Sequence, residues 1–597
     1  MRNTLRILVV VVILLLMTAC TEHGGETHIS STLPSSTSSV PTSTVSVPKP
    51  TESIPTDPCS KGHSFPNNAN VCSVCGADYF SVALNFKLNE TKDGYIVSGV
   101  GVCDRTEIFV PATYNGLPVT EIGESAFNAI YDSVCSQIAK VYLPDSIEKI
   151  DESAFLSCES LKEIQLPENL VYIGPSAFQF CESLTEMAIP SNVTYLGGYA
   201  FAECFLLQKV LLQDGILEIG ENTFEYCSSL KSIYIPKAIK DIPSMFAMGC
   251  ESLENVEFGG EITSIGKAAF VECKSLKTID LGSKLEKMGP LAFFRCSALT
   301  EITLPDTVKR IDESAFKQCT SLRKIRIPNG LEVLGNEIVT GCEQLEFNIY
   351  QGMQYLGDEK NPYLILVGRS DASQKHLIVH EDTRFIPDNK TFFGSDIQSI
   401  YIGKSVECIY GLSEEDYRSG VPFSNMDALE KIEVSPENKT YHASGNCLIE
   451  TAAKSLVQGC KNSVIPDDGS VEIIYGFSFQ YQDGLVSLVI PNSVKTIGIH
   501  AFRGCANLKW LVIGTGVKDI DNEILWEVSN VTVYYMGTAE DWEKIQIVGI
   551  NVSAGWFGSN GYLKKAPRYY YSETAPTDSG NYWHYVDGIP TPWESVE

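Results

Sequence analysis

Ten cysteines recur every 23 residues without a slip, at Cys135, Cys158, Cys181, Cys204, Cys227, Cys250, Cys273, Cys296, Cys319 and Cys342. Other columns hold the same phase. A leucine lies three residues after each cysteine from Leu161 to Leu322, and Ile164, Val210, Ile233, Val256, Ile279, Ile302 and Ile325 come three later. Prolines close the segment at Pro144, Pro167, Pro190, Pro236, Pro305 and Pro328, with Gly259 and Gly282 in the same column. An Ala-Phe pair precedes most of the cysteines, as at Ala177-Phe178 and Ala200-Phe201. Twenty-three residues are too few for a domain with its own core, but they suffice for one turn of a solenoid whose apolar face is covered by the turns above and below. The Ile-x-Leu step has the period of two of a strand. Proline then stops the ladder, and Gly-x2-Ala-Phe suits a tight turn or a short helical turn. The fold class that follows is a β-rich solenoid, in which ten turns about 4.8 Å apart stack to roughly 45–50 Å.

The pattern resembles the BspA-like class of bacterial leucine-rich repeats. The likeness rests on Leu161-x2-Ile164-x-Leu166-Pro167, on Ile173-Gly174-x2-Ala177-Phe178-x2-Cys181 and on their copies, over about residues 105–530. It implies a leucine-rich-repeat solenoid of the kind used at cell surfaces for adhesion or ligand binding. Departures are visible too. Phe127 and Cys135 stand eight apart instead of three, which puts a five-residue bulge in the first clear turn. In the Cys250 turn the aromatic moves forward to Phe246, with Ala247 in its column. After Cys342 the phase lapses, and it returns in full from Leu485 to Ile520; residues 361–466 read as variant turns with insertions.

The ends of the chain speak to compartment. Arg2 and Arg6 flank the start of an apolar run from Ile7 to Met17. As a helix that run would rise only about 16 Å, too short for a hydrocarbon core of about 30 Å, so it reads as a secretory signal peptide over 1–19. Met17-Thr18-Ala19-Cys20 resembles a bacterial lipobox, which implies cleavage before Cys20 and a lipid on its sulfur; ordinary secretion with an incidental Cys20 is the alternative. Residues 20–58 are rich in Ser, Thr and Pro and poor in large apolar side chains, so they cannot offset their ordering entropy by burial. Extended as polyproline, this linker could reach roughly 120 Å. The expected location is the outer face of a bacterial cell membrane, with the lipid as the only membrane contact. A net charge of −29 argues against nucleic acid, whose phosphates demand Lys and Arg.

Nineteen cysteines in an exported chain first suggest disulfides. Within the ladder, however, successive Cβ vectors run parallel and do not converge as a disulfide requires, so free buried thiols are expected there. Cys59-x3-His63-x8-Cys72-x2-Cys75-Gly76 is different: it has the number and types of ligands of a structural zinc site. Its second half is similar to a zinc knuckle. A disulfide-linked loop and an incidental cluster remain alternatives. A zinc-ribbon-like module over 59–80 would cap the first turns, whose open strand edge needs cover. At the other end, Arg568–Glu573 and Asn581–Tyr585 are β-prone runs, and Asp587-Gly588 supplies a turn before Pro590. A C-terminal β-hairpin packing its rings on the last turn follows. The chain thus divides into regular repeats over 81–350, variant repeats over 351–466, regular repeats over 467–530 and a C-terminal cap over 531–597.

Strand residues between the core positions should face outward. Seven residues after each cysteine stand Tyr142, Gln165, Ala188, Leu211, Tyr234, Glu257, Asp280, Thr303 and Arg326, a column that changes at every turn while the core columns barely change. Ala188, Leu211 and Tyr234, flanked by Glu257 and Asp280, form the candidate binding surface for an extracellular protein or glycan; tolerated variation on a solvated face would look the same. Metalloprotease, nucleophile-elbow and phosphate-loop motifs are absent from the sequence. His442 near Cys447 and Cys460 is one nucleophile-and-base pairing to weigh, against a structural role for all three. Three function classes stand: a surface adhesin or ligand-capture protein without enzymatic activity, a self-assembling coat protein, and a hydrolase hidden in the variant turns.

Overall fold

Each 23-residue turn is built from three stretches, each hydrogen-bonded to the same stretch of the next turn. The computed structural model describes residues 82–103, 106–387, 392, 394–409, 423, 425–548 and 560–594. The chain divides into two units, Met1–Thr56 and Asp57–Glu597, and every described residue belongs to the second.

The first stretch is the alternating strand. Glu186–Ala188 pairs parallel with Lys209–Leu211, and Ser232–Ile235 with Asn255–Phe258, each residue opposite its own repeat equivalent. Met187, Val210, Ile233 and Val256 point into the core and are buried, while their neighbours face out. The second stretch is a ladder of two-residue strands such as Tyr172–Ile173, Tyr195–Leu196 and Glu218–Ile219, again parallel and in register. Sequence reading did not find it, since two paired residues per turn are too few to show alternation.

The third stretch is the corner that carries the Ala-Phe pair. Two residues per turn have positive φ at fixed positions, as at Ser176 (52°) and Phe180 (59°), then Tyr199 (58°) and Glu203 (59°). Left-handed backbone is costly for residues with a Cβ, and here two sets of bonds hold it. The N–H groups of Ser176, Phe178 and Phe180 donate to Gly198, Ala200 and Ala202 of the next turn at 2.8–2.9 Å. Those of Ala177, Gln179 and Cys181 donate back within the turn, to Gly174, Ser176 and Phe178 at 3.1–3.3 Å. The expected short helical turn is therefore realised as single three-residue loops alternating with turn-to-turn bonds, and no α-helix forms in these corners. The five-residue bulge of the first turn holds a 3-10 helix, Ser133–Gln137.

Packing follows from the stacking. Phenylalanines from Phe127 to Phe224 stack face to face at 4.9–5.7 Å, and Phe270, Phe293 and Phe316 stack again at 5.4–5.7 Å. Between the two runs Phe246, displaced by one residue, meets both neighbours edge-on. The ladder cysteines are free and buried. Each thiol from Cys158 to Cys342 donates to a backbone carbonyl of the previous turn, Cys204 to Phe178 and Cys227 to Phe201 for example, at 3.1–3.4 Å. Glycine after the second ladder is also explained: a Cβ on Gly197 would lie 2.3 Å from the Pro175 nitrogen.

Among the described residues, antiparallel strands interrupt the parallel winding near the start of the ladders and at two internal meanders. Val82–Leu88 pairs with Tyr95–Cys103, which then runs parallel to Leu117–Ile122 and covers the start of the second ladder. Asn348–Tyr350, Met353–Leu356 and Ile365–Arg369 form a meander whose last strand continues the parallel ladder at Phe385. Tyr441–Ser444, Cys447–Glu450 and Ser455–Gln458 repeat the device before Ile473–Ile474. Among the described residues the apolar interior has three large successive clusters, from Val97 to Phe385, from Met353 to Cys460 and from Cys447 to Leu563, and a small one of Val512, Tyr534 and Trp583.

At the C-terminal end Thr532–Tyr535, Arg568–Tyr571 and Tyr582–Val586 pair parallel, and only Ile589–Pro592 turns back antiparallel around Asp587 and Gly588. The two aromatic runs thus extend the ladder, and the hairpin lies one strand later than their order suggests. Trp583 is fully buried there and donates its Nε1 hydrogen to the Tyr535 carbonyl at 2.9 Å. No helix among the described residues is long and apolar enough to cross a membrane.

Candidate binding surface

The column singled out in the sequence lies on one outward face. Ala188 stands opposite Leu211, and Tyr234 opposite Glu257, in the parallel register of the first ladder. Ala188, Glu257 and Asp280 are exposed, whereas Leu211 and Tyr234 are half-buried. The apolar run is therefore less open than the sequence implied. Tyr234 is held down: its hydroxyl donates to Asp214 at 2.8 Å, and its ring covers the space a side chain at Gly259 would need. Burial and the Asp214 carboxylate push the Tyr234 phenol up to about 12. Asp214 is partly desolvated, but the Tyr234 hydroxyl and Lys237, whose Nζ lies 3.4 Å away, outweigh that and hold its carboxyl below the usual range.

Asp280 sits at one of the breaks in the first ladder, which also parts between Glu163–Gln165 and Glu186–Ala188. Asn255–Phe258 ends one run of paired strands and Glu301–Thr303 begins the next, and the intervening residues 278–281 join neither. The second ladder continues through the same turn, with Ser264, Lys287 and Arg310 paired in register. The turns therefore separate on one face and stay closed on the other. Two open clefts of about 680 Å³ flank Asp280. One is lined by Glu257, Gly259 and Glu261, the other by Glu301, Thr303 and Asp306.

Side chains bridge the turns at this break. Gly282 replaces proline and takes φ 65°, with its N–H bonded to the Asp280 carboxylate at 3.0 Å. Glu261 accepts from the Ser283 N–H and hydroxyl at 3.1 and 3.3 Å. These side chains substitute for the lost strand bonds. In the wall of the second cleft Arg326 is engaged by Asp306 at 2.6 Å, Glu359 at 3.5 Å and Asp358 at 3.6 Å.

Cys20, Cys59, His63, Cys72 and Cys75 lie outside the described residues. Among the described residues no group of three or more His, Cys, Asp or Glu side chains is arranged to hold a metal ion. His442 is not brought to a thiol. Its Nδ1 pairs with Thr451 Oγ1 at 2.9 Å on the exposed side of its strand. Cys447 and Cys460 are fully buried, and burial pushes both thiols up, Cys447 to about 12. A nucleophilic thiol needs the reverse shift.

A model of BspA-type leucine-rich-repeat regions matches the chain in six copies, over residues 120–253, 243–360 and 472–538. No curated protein matches it. Among solved structures, a leucine-rich-repeat protein of T. pallidum is 28% identical, covering 35% of this chain and 96% of its own, with a TM-score of 0.31. A leucine-rich-repeat protein from Bacteroides ovatus is 19% identical, covering 78% and 96%, with a TM-score of 0.33. A leucine-rich cell-surface protein from Faecalibacterium prausnitzii is 20% identical, covering 79% and 98%, also with a TM-score of 0.33.

Proposed function

The chain belongs to the BspA-type leucine-rich-repeat family, and on that premise we propose that it is an exported, lipid-anchored surface protein that captures an extracellular protein or glycan on the outward face of its first ladder. A repetitive scaffold of this kind fits a binding protein, because successive turns offer one broad surface whose residues change without disturbing the core. One observation carries the reading. Core positions repeat from turn to turn while Ala188, Leu211, Tyr234, Glu257 and Asp280 differ along the outward side of the turns. The clefts beside Asp280 add depth to that face. In this reading Cys20 carries the lipid, residues 20–58 hold the repeats away from the membrane, and zinc on Cys59, His63, Cys72 and Cys75 orders the segment between them.

The test is binding of the chain to arrayed extracellular-matrix proteins, mucins and cell-wall glycans. A saturable partner is expected, with at least a tenfold loss in Leu211→Asp at unchanged circular dichroism. A Leu211→Asp chain that keeps its fold and every partner would remove this face from the proposal.

A further inference from the structure

Ile589–Pro592 is the outermost strand of its six-stranded sheet, and among the described residues no strand pairs with its far side. An unpaired strand edge is a template on which another chain can add a strand. Exposed apolar side chains at Val586 and Ile589 would favour such pairing here. What the edge offers depends on which of its amides point away from the sheet.

The register decides that. Trp583 stands opposite Pro592, His584 opposite Thr591, Tyr585 opposite Pro590 and Val586 opposite Ile589. Just past the strand the Trp593 N–H donates to the Tyr582 carbonyl at 2.9 Å, so Tyr582 and Trp593 are a hydrogen-bonded pair. Such pairs alternate along an antiparallel ladder, which makes His584–Thr591 and Val586–Ile589 hydrogen-bonded pairs as well. The far side of Tyr582–Val586 agrees. There the carbonyls of Asn581 and Trp583 accept from the N–H groups of Tyr570 and Ser572 at 2.9 Å. The turn agrees too: Asp587 (51°) and Gly588 (78°) have the two positive φ angles of a type I′ hairpin closing on Val586 and Ile589. The amides of Ile589, Thr591 and Trp593 therefore face into the sheet. Those of residues 590 and 592 face away, and both residues are proline.

Proline has no N–H, and its ring occupies the space that hydrogen would take. The free edge accordingly presents carbonyls and no donor at two successive outward positions. At an inward position either proline would have cost a bond to Tyr582–Val586.

We propose that Ile589–Pro592 is a stop strand, which closes this end of the first ladder against a strand from a second copy of the chain. An incoming strand finds no donor for its carbonyls, and the two rings hold it off. Head-to-tail stacking of solenoids, the contact that would generate an open filament, is blocked at this edge. The inference weighs against a coat protein assembled through this strand, and it rests on neither export nor ligand capture.

The full chain carrying Pro590→Thr and Pro592→Thr regains both outward amides on a β-prone residue. In sedimentation velocity over the micromolar range, the double variant should reach at least twice the weight-average mass of the parent chain. Adding Ile589→Lys, which sets a charge on the edge, should return it to the parent's behaviour. A folded double variant that sediments like the parent overturns the proposal, as does association that Ile589→Lys leaves untouched. A parent chain that itself associates, and that Ile589→Lys disperses, overturns it too. Tryptophan emission reports folding, since Trp583 is fully buried beside this strand. Where the double variant loses that signal, Pro592→Thr alone, at the exposed one of the two positions, decides by the same criteria.

Discussion

At the scale of single residues, the positions that repeat are those with a backbone partner to satisfy. The corner cysteine is small enough for the interior, and it gives the phenylalanine carbonyl of the previous turn a second, weak donor. One residue breaks that economy. His500 occupies a left-handed corner position, packed against Phe477 at 5.2 Å and Trp526 at 5.1 Å, with both ring nitrogens buried and unpartnered. Burial, then the nearby Arg503, lowers its pKa from 6.5 to about 4, against the opposing pull of Asp521 and Glu527. The folded form therefore holds a neutral ring while the unfolded chain takes a proton below about pH 6.5. Stability from this residue is complete above that value, falls as pH drops towards 4, and then levels off, a loss of up to about 3 kcal/mol. His500→Phe, which copies Phe477 one turn earlier, should remove that slope. Urea midpoints at pH 7 and pH 4.5 measure it; equal losses in both chains would show that the imidazole is not the group responsible.

At the scale of the element, the phenylalanine stack is the continuous interior of the corner. Phe201 lies fully buried between Phe178 and Phe224 at 5.3 and 5.7 Å. Truncation to alanine leaves a cavity that rigid neighbouring turns cannot fill, at a cost of about 3–5 kcal/mol. Hydrogen exchange should rise in the turns of Cys181, Cys204 and Cys227 and stay unchanged beyond Ile473. Uniform deprotection would mean the turns do not behave as neighbours. The core columns were legible because side chains of one size recur at one phase. What a single turn does not encode was illegible. Gly197 is demanded by the backbone of the preceding turn, which arrives only on stacking. Tyr234 is lowered by Asp214, twenty residues upstream and outside every column. Glycines 259 and 282 stand in the proline column beside the cleft at Asp280, but the ladder also parts where prolines hold that column, so the column alone does not foretell the cleft. The parallel pairing of Arg568–Tyr571 with Tyr582–Val586 left none, since strand direction follows from the continuing solenoid and not from either run.

At the scale of the whole molecule, a chain in which each turn touches chiefly its neighbours has no single core to lose. Stability in such an array is a sum of turn and interface terms, and long arrays lose all-or-none unfolding. Here the three large apolar clusters of the described residues meet at the two meanders, where parallel winding gives way to antiparallel strands. Those junctions are where cooperativity should break. The sequence supplies a probe, because all six tryptophans, from Trp510 to Trp593, fall within or after the last regular turns. Tryptophan fluorescence therefore reports the C-terminal cluster, while far-ultraviolet circular dichroism reports every ladder. In urea the two signals should give different midpoints, with dichroism the broader. Phe201→Ala should move the dichroism curve to lower urea and leave the fluorescence curve in place; His500→Phe at pH 4.5 should move fluorescence and barely touch the early part of the dichroism curve. Coincident curves shifted equally by both substitutions would establish one cooperative unit from Val97 to Trp583, and the meanders would then be continuous joints in the core and not its boundaries.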